Sequence, residues 1–229
     1  MTTREFRTRL DRRGQRAGIS IRPEVAEDLW RYFELLSRWN RKINLTALEQ
    51  PDEAIDRLLL EPLAAARHLA SSGPSILDVG SGSGSPAIPL KLAAPGARLI
   101  MVESKVRKAA FLREAVRQIG LTETRVETAR FEELLARPEL HESQEVVTVR
   151  AVRTEPRVLM TLQAFLRPQG RIFLFRGPSG QDAPPLVPPL HWIATYPLID
   201  SLRSRLVIVG KHPIGQRPES GRPDVSRGT

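Results

Sequence analysis

The sequence predicts an α/β fold built around a doubly wound, mostly parallel β-sheet. From residue 73 onward, short apolar segments alternate with segments whose apolar residues recur every three to four positions. Strands that are joined through helices lie parallel in one sheet. The last two apolar segments, 192–199 and 204–211, have no helix between them and therefore predict a C-terminal antiparallel hairpin. A predicted N-terminal helical segment, residues 23–72, precedes the sheet.

The N-terminal helical segment contains two predicted helices. Pro23 stands where a first helical turn begins, and apolar residues recur at helical spacing over 25–39. A second helix is predicted over 52–70, with a kink at Pro62 because proline lacks a backbone N–H. The run SSGP at 71–74 ends the segment.

The sheet-forming part, residues 73–211, starts with a strand and then alternates helices with strands. The predicted strands are 75–79, 97–103, 124–129, 145–151 and 171–177. The predicted helices are 86–93, 105–121, 131–140 and 155–170, the last ended by Pro168 and Gly170. A loop, 178–190, leads to the hairpin. The tail, 212–229, is rich in Pro, Gly, Ser and Arg, which predicts disorder.

The charge of the chain indicates a polyanionic partner. The formal net charge is +9, and residues 1–22 carry seven arginines against two acidic residues. We interpret 1–22 as a basic N-terminal arm that contacts phosphates, with a solvated, disordered tail as the alternative.

Several classes of protein are disfavoured by the composition. Cysteine is absent and the four histidines are scattered, so no disulfide framework and no metal site are expected. No apolar run approaches the roughly 18 residues of a membrane span, and the first residues lack the apolar core of a signal peptide. We therefore expect a cytoplasmic protein without a structural metal.

The run ILDVGSGSGSPAIPLK at 76–91 is the strongest candidate for a ligand site. Gly80, Gly82 and Gly84 follow the first strand, at the sheet edge where α/β proteins bind ligands. These glycines alternate with serines instead of following the dinucleotide fingerprint GxGxxG, which disfavours a pyrophosphate. Asp78 would repel a pyrophosphate but suits an ammonium or sulfonium group.

A second feature of the sequence restricts further which ligand would fit. The second strand ends in Glu103, 19 residues after Gly84. An acidic side chain at this position accepts hydrogen bonds from the two hydroxyls of a ribose. The glycine loop together with this carboxylate fits S-adenosylmethionine. The alternative is a plain tight turn, followed by a glutamate that caps the next helix.

Five segments resemble one known family when they are taken in order. They are WNRKINLTAL (39–48), LDVGSGSGSPAIPLK (77–91), VESKVRKAAFLREA (102–115), VTVRAV (147–152) and PQGRIFLFRG (168–177). They resemble the RsmG or GidB family of bacterial 16S ribosomal RNA (guanine-N7) methyltransferases, over about 25–211. The resemblance implies a Rossmann-like, class I S-adenosylmethionine-dependent methyltransferase fold. It also implies methyl transfer to one guanine of 16S rRNA in the small ribosomal subunit, with S-adenosylhomocysteine as product, and we expect a monomer.

The resemblance also implies roles for individual residues. Gly80 and Ser85 would contact the cofactor in the loop, Glu103 its ribose, and Phe131 and Glu132 its adenine. The predicted cofactor set is completed by the three remaining loop positions, Asp78, Gly82 and Gly84, and by Arg150. The alternative for Phe131 is ordinary core packing at the start of a helix.

The chemistry expected of the family needs no general base, because guanine N7 carries a lone pair and no proton. Arg150, at the end of the fourth strand, is the predicted catalytic residue, pairing with guanine O6 or a neighbouring phosphate. The alternative is an ion pair with Glu103 or Glu132 at the sheet end.

Residues after the first predicted helix are candidates for binding the substrate. Asn40, Asn44 and Thr46 would contact the RNA, or would simply cap the helix and turn the chain. The cations Arg41 and Lys42, with Arg107 and Lys108 across the cleft, would contact phosphates, or would be solvated helix faces.

The chain departs from the family pattern at three places. Residues 57–62 read RLLLEP instead of Arg-His-x-x-Asp-Ser, 85–87 read SPA instead of a bulky apolar residue with Pro-Gly, and Arg176 replaces a lysine. These departures leave open a methyltransferase for another RNA, a protein or a small molecule. A non-catalytic RNA-binding module is a further alternative, against which the intact glycine loop argues.

Overall fold

One seven-stranded sheet forms the centre of the computed structural model, which describes residues 1–47, 50–70, 73–151, 154–179 and 185–212. The strands are β1 (Ser75–Val79), β2 (Arg98–Val102), β3 (Thr124–Glu127), β4 (Gln144–Arg150), β5 (Leu166–Arg176), β6 (Leu190–Pro197) and β7 (Arg205–Lys211). Their order is β3-β2-β1-β4-β5-β7-β6, with β1 to β5 parallel and β7 antiparallel to both neighbours. The predicted fold class, including the terminal hairpin, is confirmed.

The periodicity of the sequence predicts most of the helices that precede the sheet or connect its strands. They are α1 (Thr3–Arg16), α2 (Pro23–Ile43), α3 (Pro51–Ile55), α4 (Glu61–Ala66), α5 (Ala87–Ala93), α6 (Val106–Ile119) and α7 (Pro156–Gln163). A π-helical turn, Asp56–Leu60, joins α3 to α4. None of the helices within the described ranges combines the length and apolarity that crossing a membrane requires.

The central strands of the sheet are buried on both faces, as a doubly wound arrangement requires. Successive residues of β1 point to opposite faces: Ile76 packs into a core with α1–α6, whereas Leu77 and Val79 pack into a second core with α7. The first core is the larger and contains the apolar face of α2. The N-terminal helices are therefore part of the domain.

The predicted helix over 155–170 is wrong in its second half. The helix α7 ends at Gln163, and β5 begins at Leu166. The segment 167–170 is a bulge in β5, because Leu166 and Arg171 pair with residues only two apart in β4. A side chain at Gly170 would lie 2.8 Å from a backbone oxygen, so this glycine permits the bulge and does not end a helix.

The helix predicted over 131–140 is also different in the structure. It consists of two 3₁₀ turns, Phe131–Ala136 and Pro138–Leu140. Pro138 cannot donate a backbone hydrogen bond to the preceding turn, so the α-helical ladder does not continue across it.

The segment predicted as a basic arm, 1–22, is largely a packed helix. Phe6 and Leu10 on α1 are fully buried, and the Phe6 ring lies 5.2 Å from that of Trp30 in α2. One turn further along the same side of α1, Arg13 forms ion pairs with Asp52 and with the buried Asp56. The alternative of a solvated, disordered tail is therefore wrong for α1. Of the predicted C-terminal tail, residues 213–229 lie outside the described residues.

The docking of α1 predicts a stability effect at its buried face. Leu10→Ala is expected to lower the free energy of unfolding in urea by about 2–5 kcal/mol, because it opens a cavity in the first core. Arg16→Ala, an exposed position on the same helix, is expected to change it by less than about 0.5 kcal/mol. Equal, small effects of the two variants would mean that α1 does not pack on α2.

Candidate active site

The glycine loop follows β1 and is tied to the end of the neighbouring strand. The backbone N–H groups of Gly80 and Ser81 both donate to the Val102 carbonyl of β2, at 2.9 and 3.0 Å. Gly80, Gly82 and Gly84 have φ angles of 72°, 49° and 87°, a region that strongly favours glycine. These positive φ angles explain why glycine occupies all three positions.

Glu103 holds the loop from the second strand. One oxygen of its carboxylate accepts the Gly82 N–H at 3.0 Å, and the other accepts the Lys105 N–H at the start of α6, at 2.8 Å. Glu103 therefore does cap the following helix, as the alternative interpretation of this residue predicted. A carboxylate has about four acceptor positions, so both oxygens keep capacity for ligand hydroxyls.

A cleft of ≈ 260 Å³ opens beside the loop and Glu103. Of the predicted cofactor residues, Gly80, Glu103, Phe131 and Glu132 line it. The Phe131 side chain also packs partly against the second core, so the two interpretations of that residue are compatible. Three loops at the carboxyl edge of the sheet therefore meet where the sequence placed a cofactor.

The other predicted cofactor residues do not line this cleft. Gly84, at the end of the loop, would bring a side chain to within 2.7 Å of Ile88, so glycine is also needed there for close packing. The Asp78 carboxyl is buried and accepts the Thr148 hydroxyl at 2.5 Å, while its second oxygen has no hydrogen-bond partner within the described part of the chain. Burial raises the pKa of Asp78 above its ordinary value.

Tyr32 is a residue of this site that the sequence analysis missed. Its ring is fully buried in α2, and its hydroxyl donates to the Ser83 carbonyl in the glycine loop at 2.8 Å. Burial raises the pKa of Tyr32, so the hydroxyl keeps its proton and remains a donor. At sequence level Tyr32 is one apolar position of an amphipathic helix, and nothing there indicates the polar contact.

Arg150 lies at the end of β4, and its partner is neither Glu103 nor Glu132. Its Nη2 lies 2.8 Å from the carboxylate of Glu61 in α4, and both side chains are largely buried, with 15% and 3% exposed. The guanidinium also lies over the Phe175 ring, 4.7 Å from the centroid. Burial lowers the pKa of Arg150, and the neighbouring Glu61 carboxylate opposes that shift.

The π-helical turn supplies two further anchors to the site. In this turn the Glu61 N–H bonds to the Asp56 carbonyl, and Pro62 has no N–H to offer. Arg150 Nη1 donates to the Arg57 carbonyl at 2.6 Å, and the Ser85 hydroxyl donates to the Leu58 carbonyl at 2.8 Å. The kink predicted at Pro62 is thus a π-helical turn. Its carbonyl oxygens accept hydrogen bonds from Arg150 and from the glycine loop, and the Ser85 side chain points to this turn.

The predicted substrate residues lie at the end of α2, which extends to Ile43. The Asn40 side chain accepts the Thr46 N–H at 2.8 Å, and Asn44 is the left-handed C-cap of α2. The capping interpretation of these asparagines is therefore observed. Arg41 and Lys42 are exposed, and Arg107 of α6 donates to the Lys42 carbonyl at 3.4 Å. No group of three or more potential metal ligands occurs in the described ranges.

The comparison with protein families decides the class of this chain. A family model described as GidB, rRNA small subunit methyltransferase G, matches residues 25–183. The chain belongs to this family. The ribosomal RNA small subunit methyltransferase G of Stenotrophomonas maltophilia (strain K279a) is 38% identical over 161 residues, covering 70% of this chain and 73% of the relative. That of Xylella fastidiosa (strain 9a5c) is 37% identical and covers 79% and 84%.

Solved structures confirm the fold of this chain at much lower sequence identity. A SAM-dependent methyltransferase from Aquifex aeolicus superimposes with a TM-score of 0.54 at 13% identity, covering 69% of this chain and 93% of its own. A mutant of MtNAS in complex with S-adenosylmethionine gives 0.50 at 17%, covering 90% and 73%. The recognition of the family from sequence is confirmed.

The contact between Tyr32 and Ser83 predicts a coupled effect on stability and ligand affinity. Tyr32→Phe is expected to lower the free energy of unfolding by about 1–2 kcal/mol, because the Ser83 carbonyl loses its donor. The loosened loop is expected to bind S-adenosylmethionine about threefold to tenfold more weakly in calorimetry. Tyr196→Phe, on β6, is the matched control and is expected to change neither quantity. Unchanged affinity in Tyr32→Phe would show that the hydroxyl does not hold the loop.

Proposed function

We propose that the protein transfers the methyl group of S-adenosylmethionine to N7 of a guanine in 16S ribosomal RNA. Membership of the methyltransferase G family supports the reaction class and the rRNA substrate. The observation that carries the proposal is the cleft in which the glycine loop, Glu103 and the Phe131 turn meet. A monomeric, cytoplasmic enzyme acting on the small subunit or its rRNA is part of the same proposal.

The residues present fit the cofactor. Glu103 would accept the ribose hydroxyls, because its position is already fixed by two backbone N–H groups. Phe131 would stack on the adenine, with Glu132 at its edge. The buried Asp78 has one carboxyl oxygen without a hydrogen-bond partner among the described residues. It lies close to the loop and is the acceptor suited to a cationic part of the ligand. When bound, S-adenosylmethionine supplies an electrophilic methyl group on a sulfonium.

The protein's own contribution to this reaction is positioning and exclusion of water. Guanine N7 has an available lone pair, so no side chain has to remove a proton. Burial raises the pKa of Tyr32, so its hydroxyl keeps its proton and serves as a donor to the loop. Orientation of two reactants in a dry cleft contributes several kcal/mol to such a transfer.

Arg150 would orient the substrate. Its guanidinium is held by Glu61, the Arg57 carbonyl and the Phe175 ring, so it offers a rigid cation at the end of β4. We assign it to guanine O6 or an adjacent phosphate, since a cation beside N7 would oppose the positive charge of the product. The exposed Arg41 and Lys42 would contact more distant phosphates, and the end of α2 that Asn40, Asn44 and Thr46 shape would approach the RNA.

The experiment that tests the function is transfer of a labelled methyl group from S-adenosylmethionine to small subunits that lack this modification. Chemical cleavage at 7-methylguanosine then locates the label. We expect one labelled guanine in 16S rRNA. Label on another acceptor would identify a different methyltransferase substrate. Binding of RNA without any binding of S-adenosylmethionine would support a non-catalytic module.

Gly80→Val tests the assignment of the loop to the cofactor. A side chain at this position projects from a backbone with φ of 72° beside the cleft, so S-adenosylmethionine binding and methyl transfer are expected to be lost. The matched control is Gly18→Val, which has φ of 64° and open space around it, and which should bind normally. Equal S-adenosylmethionine affinity in the two folded variants would contradict the loop assignment.

A further inference from the structure

Two polar side chains interrupt an apolar row that crosses the central strands of the sheet. Asp78 of β1 pairs with Met101 of β2 on one side and with Thr148 of β4 on the other, and Thr148 pairs in turn with Phe173 of β5. Met101 and Phe173 are fully buried in the first core. Asp78 and Thr148 are buried as completely, with 1% and 0% of their surface exposed. Placing a carboxyl and a hydroxyl among apolar side chains is costly, so we expect this pair to serve the site and not the core.

The two polar side chains are bonded to each other. The Thr148 hydroxyl donates to Asp78 Oδ1 at 2.5 Å, and this carboxyl is its one hydrogen-bond partner among the described residues. Threonine is β-branched and has few rotamers, so the bond holds the Asp78 carboxyl in one orientation. Asp78 Oδ2 is buried and has no partner in the described part of the chain. The hydroxyl therefore occupies one carboxyl oxygen and leaves the other as an acceptor for a ligand.

The bond between Thr148 and Asp78 also affects the charge of the carboxyl, directly beside the glycine loop. The Ser81 hydroxyl donates to the Asp78 carbonyl at 3.1 Å, which folds the start of the loop back onto this residue. Burial raises the pKa of Asp78, and the Thr148 hydroxyl opposes that rise because it stabilises the carboxylate. A buried carboxylate attracts a nearby cation even without direct contact, since little water screens the two charges.

We propose that Thr148 is a positioning residue for the cofactor, because it holds the Asp78 carboxylate with one oxygen free for the positively charged methionine part of S-adenosylmethionine. That part carries a sulfonium and an ammonium group, whereas the adenosine, which we assign to Glu103 and Phe131, is neutral. This inference rests on the proposed function, because it takes the ligand of the glycine loop to be S-adenosylmethionine.

Calorimetry of Thr148→Val with three ligands tests the proposal. Valine keeps the shape of the side chain and removes the hydroxyl. We expect S-adenosylmethionine to bind about tenfold more weakly, because a hydrogen bond to a charged group is lost. Methylthioadenosine has neither the sulfonium nor the ammonium group, so its affinity is expected to stay at the wild-type value. S-adenosylhomocysteine keeps the ammonium alone: a loss like that of S-adenosylmethionine assigns Asp78 to the ammonium, and wild-type affinity assigns it to the sulfonium.

Three further variants serve as controls. Thr148→Ser keeps the hydroxyl and is expected to retain most of the affinity for S-adenosylmethionine. Thr148→Ala lacks the hydroxyl and is expected to lose affinity as Thr148→Val does, so the serine and alanine variants replace the valine variant if it does not fold. Thr161→Val removes a hydroxyl that donates to the Arg157 carbonyl within α7, beside the second core, and is expected to bind all three ligands normally.

Two results of the calorimetry would overturn the proposal. Equal weakening of S-adenosylmethionine and methylthioadenosine in Thr148→Val would mean that the hydroxyl only supports the fold of the loop. Wild-type affinity for S-adenosylmethionine in that variant would mean that the hydroxyl does nothing for the cofactor. A double variant tests whether Thr148 acts through Asp78: once Asp78→Asn has removed the charge, Thr148→Val is expected to cause no further loss, and additive losses would contradict the proposal.

A methyl-transfer assay with the wild-type protein separates this proposal from the proposed function. If the wild-type protein methylates 16S rRNA and Thr148→Val binds S-adenosylmethionine normally, the function stands and Thr148 is structural. If Thr148→Val loses affinity for S-adenosylmethionine but not for methylthioadenosine, while the wild-type protein transfers no methyl group to 16S rRNA, the role of Thr148 stands and the function is contradicted.

Discussion

The candidate active site depends on one buried ion pair, between Arg150 at the end of β4 and Glu61 in α4. Removing two charges from water is costly, and the attraction between them offsets that cost only if both partners are held in place. The Arg57 carbonyl and the Phe175 ring complete the surroundings of the guanidinium. The pair thereby fixes the N-terminal helical segment against the sheet at the edge where the cleft opens.

The N-terminal helices act as part of the site because three of their contacts end on it. Tyr32 of α2 bonds to the Ser83 carbonyl of the glycine loop, the Leu58 carbonyl of the π turn accepts the Ser85 hydroxyl, and Glu61 pairs with Arg150. A methyl-transfer cleft needs a rigid wall, since reactant orientation sets the rate. Residues 57–62, which depart from the family pattern, belong to this part of the site. Among them, Glu61 is the acidic partner of Arg150.

The sequence predicted those parts of the site that the strand–loop–helix order determines. Gly80 and Glu103 follow neighbouring parallel strands, whose ends meet at one edge whatever the details of packing. Tyr32 and Glu61 could not be predicted, because Tyr32 contacts a carbonyl 51 residues away and Arg150 reaches the π turn across 93 residues. The amphipathic pattern of α1 was hidden by its arginines, several of which pair with acids of α3 and the π turn. In β5, the proline and glycine that suggested a helix end belong to a bulge.

A double-mutant cycle on the pair tests this account most directly. Glu61→Leu and Arg150→Met, singly and together, would be compared by urea unfolding and by methyl transfer. Each single variant leaves one buried charge unpaired and is expected to lose about 3–5 kcal/mol of stability, whereas the double variant loses clearly less than the sum. We expect the double variant to fold and bind S-adenosylmethionine but to transfer no methyl group. Additive losses of stability, or a double variant that is fully active, would contradict the central role of the pair.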